Sequence, residues 1–101
     1  MSVVRSQWWV ASLGSTLVWA RLDLLEAGTA RVLDCDGRSL PYDSEDSARA
    51  ALLDAEFRAF DGLDEADAAQ LGIDLASVQP PQGEDLEALR AQMVIKLPRR
   101  Q

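Results

Sequence analysis

The sequence predicts an α+β protein, an antiparallel β-meander of three to four strands with two or three helices packed on one face. Three observations carry this. Residues 3–42 read as β-branched and aromatic runs separated by Gly-containing turns. Residues 43–73 switch to helical spacing with capping residues at both ends. The strand-like runs all precede the helical ones.

Residues 3–13, VVRSQWWVASL, form the expected first strand, and Gly14-Ser15 the turn after it. Residues 16–26 alternate, with Val18, Ala20, Leu22 and Leu24 facing one way and Trp19, Arg21 and Asp23 the other. That is the pattern of a strand with one face on a core and one in water. Ala27-Gly28 turns into a third strand over 29–34. Asp36-Gly37 signals a tight hairpin, and Pro41 confines the returning strand, 38–42, to an edge.

The helical stretch opens with Asp43 or Ser44 as a cap and Glu45 and Asp46 at the positive end of the helix dipole. Leu53, Phe57 and Phe60 then follow i, i+4, i+7 spacing, widened by Ala48, Leu52, Ala55 and Ala59. The spacing predicts one amphipathic helix running towards Gly62 with those three side chains on the core. Asp64 caps a second helix that ends at Gly72 with apolar Ile73 beyond it, the dress of a left-handed C-cap. Residues 74–83 are loop-like. Glu84 to Gln92 fits a short helix and Met93 to Leu97 a last strand, so 84–97 reads as helix, strand or both. Residues 1–97 are expected to form a single domain and 98–101 a tail.

With 48% apolar and 27% charged residues, the chain has the composition of a folded globular domain. Cys35 is its only cysteine, so no internal disulfide is available and a reducing compartment, the cytoplasm, is expected. No apolar run approaches the length of a membrane span, and Arg5, Ser6 and Gln7 interrupt the N-terminal apolar patch. Net charge is −7. Residues 43–74 hold ten acids and two arginines, so this one segment accounts for the whole excess. That balance argues against nucleic acid and for a basic protein as partner.

Asp34-Cys35-Asp36-Gly37, after Val32-Leu33, resembles the nucleophile motif of the haloacid-dehalogenase phosphatases, which implies a parallel doubly wound sheet and a distal lysine. The chain is too short for that fold and its one lysine is Lys96, so a hairpin turn is the better reading. Asp34, Asp36 and Glu45 also fall at EF-hand ligand positions. However, Arg38 and Ser39 stand where an oxygen ligand and a glycine are required. Without histidine, the usual general base and zinc ligand are missing. No catalytic, metal or cofactor role is therefore assigned, although a carboxylate enzyme with two acids in one concave site is a third alternative.

Trp8, Trp9 and Trp19 sit in the first two strands, and neighbours in a strand point to opposite faces. With one face covered, Trp9 or Trp8 together with Trp19 would be exposed beside Arg21, the composition of an interaction hot spot. The run SEDSARAALLDAEF…FDGLDEADAAQLGI resembles a segment of small acidic bacterial proteins that place such a helix after a strand-rich start. That resemblance implies the α+β fold and an immunity-type inhibitor, and supplies no site residue. The expected function is an acidic, non-enzymatic, protein-binding module of the immunity or antitoxin type. Its expected contact residues are Trp9, Trp19, Arg21, Asp54, Glu56, Asp61, Asp64, Glu65 and Asp67, facing a basic protein. The alternative partner is a second copy, in a homodimer through the tryptophan-bearing sheet face.

Overall fold

The computed structural model describes residues 3–73 and 78–96, so the expected tail at 98–101 and part of the 74–83 loop lie outside the description. The order of elements is β1 (Val3–Leu13), β2 (Thr16–Leu25), β3 (Ala30–Leu33), β4 (Ser39–Tyr42), α1 (Glu45–Asp54), β5 (Arg58–Ala59), a 3-10 turn (Phe60–Gly62), α2 (Glu65–Leu71), α3 (Leu86–Arg90) and β6 (Val94–Lys96). The class is α+β, as expected, with more strands than the sequence suggested.

Strands β1 to β4 form the antiparallel meander, and β5 adds outside β1, giving the order β4-β3-β2-β1-β5. β6 pairs with β2 at Thr16 to Val18, beyond the end of β3. Residues 84–96 thus hold both a helix and a strand. The long β1–β2 hairpin sets the register of everything else, with Trp9 opposite Ala20, Val10 opposite Trp19 and Trp8 opposite Arg21.

Each face of this hairpin carries its own core. Trp9, Ala20, Leu22, Ala30 and Val32 pack under Ala48 and Leu52 of α1. On the other face Val10, Leu17, Trp19 and Leu33 pack with Leu71 of α2, Leu89 of α3 and Met93. The helices are therefore shared between the two faces rather than gathered on one. β5 makes this possible. Ala59 pairs with Trp9 and Arg58 with Val10, so the chain leaves α1 on one side, runs along the sheet edge and enters α2 on the other.

The expected long helix is corrected at this crossing. α1 stops at Asp54, where Glu56 N–H reaches Leu53 O and Phe57 N–H reaches Leu52 O, at 3.0 and 2.9 Å. This is a Schellman cap, with Phe57 joining the core cluster of Leu52 as its apolar partner. Glu56 holds the left-handed position, φ 67°, that usually falls to glycine. The i, i+4, i+7 spacing of Leu53, Phe57 and Phe60 is thus not one helical stripe. Phe57 lies against one core, Phe60 against the other, and Leu53 is 58% exposed. α2 ends as expected, with Gly72 left-handed at φ 77° and Ile73 N–H on Ala68 O.

Two stability predictions follow from this cap and its core. Leu52→Ala, a buried deletion under α1, should cost about 2–5 kcal/mol in urea unfolding, whereas Leu53→Ala should stay within about 0.5 kcal/mol. Glu56→Gly should gain about 1 kcal/mol by relieving the left-handed backbone, less the added freedom of the unfolded chain.

Candidate functional site

The crossing from α1 to α2 collects the acidic side chains that the sequence singled out. Asp54 closes α1, Glu56 sits in its cap, Asp61 lies in the 3-10 turn, and Asp64, Glu65 and Asp67 open α2. All are exposed except Asp67, which is half-buried. Three are held locally. Asp61 accepts a hydrogen bond from Gln7 Nε2 at 3.1 Å, and Gln7 Oε1 in turn accepts one from Trp9 Nε1. Asp64 accepts from the Asp67 backbone N–H at 2.8 Å as the N-cap of α2. Asp67 lies 3.5 Å from Arg58, a guanidinium half in water. Asp54, Glu56 and Glu65 have no ion-pair partner among the described residues.

A groove of about 460 Å³ lies beside this surface, lined by Ser12, Leu53, Glu56, Phe57, Arg58, Gln70 and Leu71. It occupies the place where a longer β5 would have run along β1. Among the described residues its lining holds one carboxylate, Glu56, and not the pair of acids expected of a carboxylate enzyme. Among the described residues no three His, Cys, Asp or Glu side chains converge to hold a metal ion.

The tryptophans expected at the surface belong to the interior. Trp9 and Trp19 are both buried, one in each core, because helices cover both faces. Trp19 meets Phe60 at 5.1 Å and stands edge-on to Trp8 at 6.1 Å. Its indole N–H has no hydrogen-bond partner among the described residues. Trp8 alone keeps partial exposure, with the Arg21 guanidinium 5.9 Å from its ring centre. Arg49 from α1 sits 5.4 Å from the Trp9 ring, closing that face.

Arg21 is likewise engaged within the fold. Its Nη2 donates to Asp23 Oδ2 at 3.2 Å, and Arg31 Nε donates to the same oxygen at 3.3 Å. Arg21 Nε is 3.0 Å from Oδ1, close enough for charge pairing but not aligned to donate a hydrogen bond. Ser6 Oγ donates to Oδ1 at 2.7 Å. Asp23, which alternation alone places in water, is 0% exposed and is the buried charge of the sheet. The sequence contained a sign of this group, Arg21, Asp23 and Arg31 within eleven residues of adjoining strands. Only the β2–β3 register, Asp23 opposite Arg31, turns that sign into a contact.

The Asp34-Cys35-Asp36-Gly37 motif is a hairpin turn. Asp34 Oδ1 accepts the backbone N–H groups of Asp36 and Arg38, and Gly37 takes φ 85°. Burial, then the neighbouring Asp36 and Asp34 carboxylates, push the Cys35 thiol above its ordinary range, so it stays protonated at neutral pH. No helix is long and apolar enough to cross a membrane among the described residues.

Asp23→Asn keeps the shape but leaves two guanidiniums without their counter-charge. It should cost about 3 kcal/mol in urea unfolding, the low end for a broken buried pair because both arginines still touch water. Comparison with protein-family models, curated proteins and solved structures gives no match for this chain.

Proposed function

We propose that this protein is a small, non-enzymatic, cytoplasmic binding module of the immunity or antitoxin type that docks a basic partner protein. The observation that carries the reading is the run of carboxylates from Asp54 to Asp67, turned outward around the sheet edge with Arg58 as the one cation among them. Charge of one sign gathered on one surface raises the encounter rate with an oppositely charged partner. Asp54, Glu56, Asp61, Asp64 and Glu65 are the contact residues of this reading. Asp67, through Arg58, stiffens the surface they share. Trp9 and Trp19 take no part in the contact, since the fold encloses them, and Arg21 is paired with Asp23 rather than set among these acids. A chain with no histidine and one protonated thiol suits a binder better than a catalyst.

The test is to isolate the partner from the native cell and follow the purified pair by stopped flow. The association rate should fall steeply with rising salt as the surface charges are screened. Asp54→Lys with Glu65→Lys, neither of which caps a helix, should slow association roughly tenfold or more and change dissociation little. A salt-independent association rate, or a partner without a basic surface, would overturn the reading.

A further inference from the structure

We propose that Arg21 and Arg31, set on the sheet over buried Asp23, form a binding site for a phosphate-type oxyanion. The patch lies on the face that carries Trp19, at the end of the sheet away from Leu17 and Met93. Strand register arranges it in two rows. Trp8, Arg21, Leu33 and Ser39 make one, and Ser6, Asp23, Arg31 and Pro41 the other. Ser6, Ser39 and Pro41 are exposed, and Trp8 is half-buried, so this end of the face is open.

The charges in the patch do not balance. Both guanidiniums donate to one oxygen, Asp23 Oδ2, so two like charges meet around a single carboxylate. Among the described residues Asp23 is the only acid within 4.0 Å of either arginine. One arginine and the Ser6 hydroxyl would already give a buried carboxylate its counter-charge and donors. The second leaves a unit positive charge, fixed on strands, in a chain whose net charge is −7.

The donors are also unspent. Each guanidinium has five N–H groups, and each makes one aligned hydrogen bond to the described protein. The Arg21 and Arg31 side chains are 26% and 39% exposed, so water reaches both. Asp23 lies beneath them and orients them, and the Trp8 ring flanks Arg21. A second anion arriving from solvent meets two held arginines before it meets the carboxylate. Planar, paired guanidiniums match the oxygens of phosphate better than a point charge does. This site is separate from the acidic surface of α1 and α2, so either proposal can fail without the other.

The experiment is titration of the full chain with inorganic phosphate at constant ionic strength, reading the arginine Nε–H and Trp8 indole N–H resonances, with chloride as the reference anion. Saturable shifts of Arg21 and Arg31 are expected with phosphate and not with chloride. Arg31→Gln, at the more exposed position, should weaken binding by at least about tenfold while its circular dichroism stays that of the parent. A phosphoserine peptide tested alongside separates the sources. Tighter binding than inorganic phosphate assigns the group to a protein ligand, and equal binding assigns a free anion. Absence of saturable shifts, equal shifts with chloride, or unchanged phosphate binding in R31Q overturns the proposal and leaves the arginines as a covering for Asp23.

Discussion

The β1–β2 hairpin is apolar on both faces, and that constraint organises the rest of the molecule. Trp9 and Trp19 lie on opposite sides of the same two-strand ribbon, and neither can be left in water without exposing a large apolar area. A single helical layer covers only one of them. The chain meets the requirement by placing α1 on one face and α2 and α3 on the other, with β5 carrying it around the edge. The Schellman cap at Leu52 to Phe57 is the device that turns it into that path.

The same crossing explains the charge distribution. A segment that wraps a sheet edge has its apolar residues drawn alternately to either face, as Phe57 and Phe60 are. Its polar residues are left on the outside of the bend. Asp54, Glu56, Asp61, Asp64 and Glu65 are all exposed along it. Their arrangement on one surface is thus a by-product of covering two faces, whatever partner it serves. The arginines show the complementary case. Arg21 and Arg31 meet at Asp23 because the open end of one sheet face must enclose a charge that alternation placed there.

Much of the architecture was legible in the residues. Gly14, Gly28 and Asp36-Gly37 mark turns, Ser44 and Asp64 cap helices, and Gly72 followed by Ile73 ends one. These signals are local, since a cap or a left-handed turn depends on a few neighbouring residues. The error at Leu53, Phe57 and Phe60 has a physical origin too. Spacing of four and three residues fits a helix, but it also arises when a short helix gives way to an edge strand whose side chains alternate. Glu56 in a position that favours glycine left no sign of the break.

The chain on its own determined the fold class, the hairpin turns, the caps that open α1 and α2 and close α2, and the placing of the acids in one segment, because each rests on chemistry within a few residues. Only the tertiary structure decided that the sheet is covered twice, that Trp9 and Trp19 are core, and that Asp23 is a buried charge between two arginines. Those facts rest on which surfaces meet across the sheet. Alternation along a strand says which side chains share a face, and not whether that face is wet or dry.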